Sequence, residues 1–335
     1  MDGDTMQAIT YDRYGGPEVL VTRTLARPQP SSSELRIRVQ AVEATKTDTE
    51  MRSLNYSATW LRKPMRLVLG VRRPRRTILG IYFAGTVEEV GAEVTGFSPG
   101  DAVYGSTGLR AGAYGEYVVL PAKTVLVAKP KSMTFAESAA LALGGINGAH
   151  FVELLEVGRG DRVLVNGAGG VIGAHAVQVA AERGATVTGV DAAHKADFVK
   201  EMGAATFIDY QAVDITATEQ RFDAIVDMVP STSLTAMHRL LAKGGRYAHG
   251  NPTLNLMLAA PFTRRRFGTR TRVRFAEETR SALRDLAAMA DAGALRPIVD
   301  RVLPMDQAAE AHRLVDTEER VGAIVLAIGE HANER

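Results

Sequence analysis

The chain has 335 residues, enough for two domains that each bury their own core, and its 46% hydrophobic and 23% charged residues place it among soluble globular proteins. A net charge of only +2 exerts no global pull toward nucleic acid or a bilayer. The absence of cysteine excludes disulfides, thiol nucleophiles, iron–sulfur clusters and every thiolate zinc site, and the seven scattered histidines show no ligand spacing, so no metal is expected. No apolar run approaches the roughly 18 residues that span a bilayer. The opening MDGDTMQAIT lacks a basic-then-apolar signal pattern, and a cytoplasmic location is expected.

The first 125 or so residues read as strands and turns. Met6–Thr10, Leu35–Val42 and Tyr117–Leu120 are rich in apolar and β-branched residues, and Gly15-Gly16-Pro17 and Ser98-Pro99-Gly100-Asp101 punctuate them. At Thr134-Phe135-Ala136-Glu137 a capping box opens a helix through Ala142, and a second helix is expected over Gly148–Val157. Residues 162–191 follow, then a helix over 195–202, strands at Thr206–Ile208 and Ala224–Asp227, and a helix at Leu234–Leu241 closed by Gly244-Gly245. Strands at Tyr247–His249 and Arg272–Phe275, a helix at Glu277–Ala290 stopped by Gly293, and a strand at Ala323–Ala327 complete the pattern. Short strands alternating with helices fit a doubly wound parallel sheet, roughly residues 126–268, inserted into a β-rich domain made of residues 1–125 and 269–335. The cleft between the two is the expected active site.

Residues 162–191, RVLVNGAGGVIGAHAVQVAAERGATVTGVD, carry the chemistry. An apolar strand runs into glycines spaced by three, Gly167, Gly170 and Gly173, then a helix, a second strand and the acid Asp191. Glycines allow a tight turn and close approach of a pyrophosphate. The helix start offers unpaired N–H groups, and the acid accepts ribose hydroxyls. The order of all these parts points to a dinucleotide.

With YDRYGGPEVL (11–20), GTVEEVGAEVTGFSPGDAVYG (85–105), GAYGEYVVLP (112–121), VLVNGAGGVIGAHAVQVA (163–180) and IVDRVLPMDQAAEAHRLVDTEERVGAIVL (298–326), the chain resembles the medium-chain dehydrogenase/reductase superfamily, and within it the zinc-independent quinone oxidoreductase branch. The resemblance implies an α/β protein with a GroES-like catalytic domain and an inserted Rossmann domain, a homodimer or tetramer, and NAD(P)H-dependent reduction of quinones or α,β-unsaturated carbonyls. It places Gly167, Ala168, Gly170, Val171, Ile172 and Gly173 at the pyrophosphate. Asn147, in LGGINGAH, falls at a helix end facing the nicotinamide, and Gly250 and Asn251 border its ribose. Asp191 favours NADH by charge, whereas Lys195 and Tyr210 match positions that hold the 2′-phosphate of NADPH.

Departures from the family cluster on the expected substrate side. Thr45 stands for an Asn, Lys46 for a Pro, Glu50 for a Tyr, Tyr82 for an acid, and Pro230 for a Gly. Thr45, Lys46 and Tyr82 are therefore the candidates for contacting the substrate carbonyl or delivering a proton. Each has a plainer reading: a strand end, a solvated charge, a packed ring. The basic segment 60–76 carries seven Lys or Arg among apolar residues, and Phe262–Phe275 carries six Arg. The first reads as a lid or a solvated face, with membrane contact the weakest option, and no nucleic-acid partner is expected. Besides a small carbonyl or quinone substrate, the alternatives are an alcohol or carbonyl dehydrogenase and a non-catalytic NAD(P)H-binding sensor or crystallin-like protein.

Overall fold

Val163, Leu164 and Val165 in the strand Arg162–Asn166 are each 0% exposed, as a parallel strand covered on both faces by helices requires. This strand pairs in parallel with Thr186–Asp191 on one side and Phe222–Asp227 on the other. Thr206–Asp209 lies outside the first neighbour, and Leu241–His249 and Arg270–Arg272 outside the second, every pairing parallel. Counted along the chain, the six strands stand in the order 3-2-1-4-5-6. The order reverses at Arg162–Asn166, where the glycine loop leaves the carboxyl edge of the sheet.

The computed structural model describes residues 4–318 and 320–334. They divide into two units: Met1–Ala142 with Glu278–Gly293 and Pro297–Arg335, and Leu143–Glu277 with Ala294–Arg296. The first unit is built on the eleven-residue strand Glu34–Ala44, which pairs antiparallel with Ala323–Ala327, Tyr82–Val90 and Tyr117–Pro121. Chain from both ends therefore shares one sheet. Val299–Pro304 joins it beside Ala323–Ala327 through the crossover helix Ala308–Thr317.

Three elements differ from the sequence expectation. Residues 135–154 form one continuous helix, so Asn147 lies in mid-helix and not at a helix end. The glycines that suggested a break serve packing instead. A Cβ on Gly144 would sit 2.4 Å from His175 Nδ1, and one on Gly148 would sit 2.7 Å from Ala176 N, so their bareness lets two helices approach. Gly244-Gly245 does not close a helix: the helix ends at Leu240 and the strand Leu241–His249 runs through both glycines. The edge strand is Arg270–Arg272, two residues ahead of Arg272–Phe275. The capping box at Thr134 is present, with Glu137 N donating to Thr134 Oγ1 at 3.1 Å and Thr134 N to Glu137 Oε2 at 2.7 Å.

Gly144→Ala is expected to cost about 1–3 kcal/mol through overpacking against His175. Gly158→Ala, whose Cβ would meet nothing within 4 Å, is the neutral control. Thermal unfolding of the two variants checks the contrast, and equal midpoints would remove the packing role.

Candidate functional site

Gly167, with φ +82°, turns the chain out of its strand while its N–H donates to Val190 O at 2.9 Å. The helix Val171–Glu182 begins so close to this turn that a Cβ on Gly173 would fall 2.1 Å from Gly167 O. Gly170 occupies the N-cap position and no side chain caps the helix, so its first-turn donors at Val171, Ile172 and Gly173 have no side-chain acceptor. Such an end suits an anion. Ala168 is fully buried beneath the loop, 3.1 Å from where a Cβ on Gly189 would lie.

Asp191 is the clasp of this loop. Its Oδ2 accepts from Gly169 N at 2.7 Å, and its Oδ1 accepts from Ala192 N at 2.9 Å and lies 3.3 Å from Lys195 Nζ. The Lys195 stem passes over Gly169, where a Cβ would stand 2.4 Å from Lys195 Cδ. Gly169 was missed from the sequence; its signal is a glycine between Ala168 and Gly170 in a motif whose spacing does not ask for one. Tyr210 is 56% exposed and its N–H donates to Asp191 O at 3.3 Å. The structure thus gathers Asp191, Lys195, Tyr210 and the glycine loop in one place, with the acid already paired to the lysine.

Gly250 and Asn251 follow the strand Leu241–His249. Gly250 N donates to Asp227 O at 2.8 Å, and a Cβ there would lie 2.3 Å from Met228 Cε. Asn251 is exposed, its N–H donating to Nδ1 of buried His249 at 3.0 Å. Asp227, unmarked in the sequence reading, is fully buried and saturated. Asn166 Nδ2 (2.9 Å), Tyr247 OH (2.9 Å) and Val229 N (3.1 Å) all donate to its carboxylate. Asn147 donates Nδ2 to Leu143 O at 2.9 Å within its own helix.

In the other unit, Thr45 is 0% exposed and caps the helix Lys46–Ser53. Its Oγ1 donates to Asp48 Oδ2 at 2.6 Å and accepts from Asp48 N at 3.1 Å, while Thr45 N donates to Asp48 Oδ2 at 3.1 Å. Gly80 N adds a bond to Asp48 Oδ1 at 2.9 Å, tying the helix to the chain two residues ahead of Tyr82. Burial pushes the Asp48 carboxyl up to about 6, against the pull of these donors. Tyr82 is buried and its hydroxyl donates to Glu278; burial and that carboxylate hold the phenol protonated. Lys46 follows Thr45 at the first helical position and turns its ammonium to a surface cleft. Its ammonium lies 3.4 Å from Glu318 and 3.9 Å from Asp316, beside a cleft of about 560 Å³ also lined by Tyr56 and Asn55.

Two further buried groups were not among the site candidates. Arg52, 3% exposed, donates to His312 Nδ1 at 2.9 Å, Asp316 Oδ2 at 2.9 Å and Gly15 O at 3.2 Å. Burial and the guanidinium drive His312 down to about 3, so the ring is neutral. With Nδ1 accepting, Nε2–H donates to Tyr114 OH at 2.9 Å. Glu43 is 0% exposed and among the described residues neither of its side-chain oxygens has a hydrogen-bond partner; burial pushes its carboxyl up to about 8, with Arg320 pulling the other way. At neutral pH it is a carboxylic acid. Among the described residues no group of three or more His, Asp or Glu is placed to hold a metal.

A Rossmann sheet joined to a β-rich unit drawn from both ends of the chain is the architecture of pyridine-nucleotide-dependent oxidoreductases. Residues 31–131 match the alcohol dehydrogenase GroES-like domain, and residues 202–326 match the zinc-binding dehydrogenase domain. The chain is 27% identical to the quinone oxidoreductase of Sus scrofa over 339 residues, covering 96% of this chain and 98% of the other. It is 28% identical to the NAD-dependent alcohol dehydrogenase of Saccharolobus solfataricus over 361 residues, covering 96% and 99%. The solved quinone oxidoreductase from Coxiella burnetii superposes with a TM-score of 0.83 at 25% identity, covering 97% of this chain and 100% of that one. The chain belongs to the medium-chain dehydrogenase/reductase superfamily, in its quinone oxidoreductase-like branch, and is an oxidoreductase using a nicotinamide cofactor.

Because the Glu43 carboxyl is raised in the fold, it supports stability below its unfolded value near 4.5, and that support is lost as pH climbs to about 8. Glu43→Gln is therefore expected to gain thermal stability over the native chain progressively between pH 5 and 8.5. A pH-independent difference in melting temperature would mean that Glu43 does not titrate in this range.

Proposed function

We propose that the chain transfers hydride from NAD(P)H to a quinone or α,β-unsaturated carbonyl without zinc, as a cytoplasmic homodimer. The observation that carries this is the uncapped helix start set over Gly167 and clasped to Asp191, a cradle fitted to a dinucleotide pyrophosphate. The names of relatives that span nearly the whole chain support the acceptor class, and the lack of cysteine supports the zinc-free reading. The cofactor supplies the hydride.

The chain's own residues position and exclude. Val171, Ile172 and Gly173 direct N–H groups at the pyrophosphate, and the bare Cα of Gly173 keeps them close to the turn. Asp191 offers its remaining acceptor capacity to ribose hydroxyls, and Gly250, Asn251 and Asn147 are assigned to the nicotinamide half. Lys195 offsets the Asp191 charge that would repel a 2′-phosphate, with Tyr210 exposed beside it. Both NADH and NADPH are then accepted, with KM values within about tenfold, that is, less than about 1.4 kcal/mol of discrimination.

On the substrate side, the Tyr82 phenol is kept protonated, and its single O–H, donated to Glu278 in this structure, serves a developing oxyanion by exchanging that carboxylate for the substrate oxygen. Thr45 holds Asp48, and Lys46 supplies charge at the surface cleft. Tyr82→Phe is expected to slow single-turnover hydride transfer about a hundredfold. Thr45→Ala and Lys46→Ala should change it by less than about tenfold, while Thr45→Ala loses about 1 kcal/mol of stability with its cap. Equal rates for Tyr82→Phe and the native chain would remove Tyr82 from the chemistry.

The whole proposal is tested by following NADH and NADPH oxidation with a panel of quinones and enones, with oligomeric state taken from light scattering. Tight cofactor binding with no turnover on any acceptor would sink it. The alcohol dehydrogenase relatives favour one second reading, alcohol oxidation, which the same assay run with NAD(P)+ and alcohols detects.

A further inference from the structure

The basic segment 60–76 is a built surface feature. Thr59–Leu61 forms one helical turn and Arg62–Leu69 continues as an α-helix, stopped at Gly70 with φ +128°. The following turn is fixed, with Arg66 Nε donating to Val71 O at 2.9 Å and Arg75 N to Leu69 O at 2.8 Å. Leu69 faces inward at 3% exposure. Trp60, Leu67, Val68 and Val71 stand outward at 38, 66, 51 and 49%. Trp60 lies seven and eight residues ahead of Leu67 and Val68, two turns along the same face. Around this ridge are seven Lys or Arg, and no acidic residue occurs between Glu50 and Glu88. Among the described residues none of the seven forms an ion pair with a carboxylate.

We propose that this segment is a peripheral docking site for an anionic lipid bilayer, the apolar ridge entering between headgroups while the cations engage lipid phosphates. An outward apolar ridge with an unneutralised basic rim is the composition of an in-plane interfacial helix. A second copy of the chain is the wrong occupant, because a two-fold contact would set one group of seven cations against its own image. Nucleic acid is also disfavoured, because a single aromatic, Trp60, makes no stacking platform. The site stands independently of what the glycine loop binds.

Trp60 is the only tryptophan of the chain, so the native protein carries its own probe. Titrated with mixed phosphatidylcholine–phosphatidylglycerol vesicles, its emission is expected to move to shorter wavelength and to be quenched by brominated acyl chains. Pure phosphatidylcholine should do neither. Raising salt from 0.1 to 1 M shortens the Debye length from about 10 to about 3 Å and should release the protein. Leu67→Glu/Val68→Glu, exposed substitutions checked by an unchanged melting temperature, should weaken vesicle sedimentation at least about tenfold. An unshifted, unquenched Trp60 in anionic vesicles would overturn the proposal. So would sedimentation that the double substitution leaves intact, or a double variant that changes the oligomeric mass of a protein bound to no vesicle.

Discussion

The carboxylate of Asp191 fixes the loop on which the cofactor half of the molecule depends. It gathers Gly169 N, Ala192 N and Lys195 Nζ, so the end of one strand, the loop from its neighbour and the start of the next helix are held through one group. Beyond the bonds of Gly167 N and Ala168 N to Val190 O, the loop has little side-chain packing to hold it, since Gly167 and Gly170 have no side chains and Ala168 contributes a single methyl. An ion pair at this depth stabilises only when the remaining lone pairs are satisfied, and the two backbone donors meet that condition. The same closure explains why three glycines are consumed here. Gly173 must clear Gly167 O, Gly169 must clear the Lys195 stem, and Gly167 must take a left-handed turn.

Asp48 does comparable work in the β-rich unit, joining Thr45 at a helix start to Gly80 ahead of Tyr82. This accounts for one departure from the family pattern. A threonine where relatives carry asparagine still caps the helix, and its hydroxyl is spent on Asp48. Lys46 at the first helical position keeps its charge in contact with Glu318 and Asp316 at the surface. The residues at Thr45 and Lys46 therefore fit the local backbone.

Much of the Rossmann half was legible because its rules are local. A buried parallel strand is apolar throughout, a glycine triplet announces the turn, and the acid ends the next strand; Gly167, Gly173 and Asp191 stand where those rules put them. Glycine was also where legibility failed. Gly144 and Gly148 look like a helix break in sequence, yet serve contact with His175, a residue about thirty positions away that periodicity does not report. Gly244 and Gly245 likewise lie inside a strand. In the β-rich unit, Arg52, His312 and Tyr114 form a chain across some 260 residues, which no local pattern announces. Glu43 was invisible because the strand already carries Glu34, Arg36, Arg38 and Gln40, and one more polar residue there normally points to solvent, whereas this one is enclosed.

The buried charges also divide the pH response of the molecule. In the nucleotide unit, Asp191 and Asp227 are surrounded by donors, and the buried rings His175 and His238, both lowered to about 4, lose stability only as pH falls below the ordinary imidazole range. The carboxyls raised by burial, Glu43 and Asp48, both belong to the β-rich unit. Rising pH therefore acts on that unit through groups that must ionise without water, Asp48 up to about 6 and Glu43 up to about 8, while acid acts on both units through histidines that must charge. The Asp48 carboxylate has three donor contacts, from Thr45 N, Thr45 Oγ1 and Gly80 N, to receive the charge when it forms; among the described residues Glu43 has none, and the strain of ionisation falls on the strand Glu34–Ala44 that every other part of the sheet is built around.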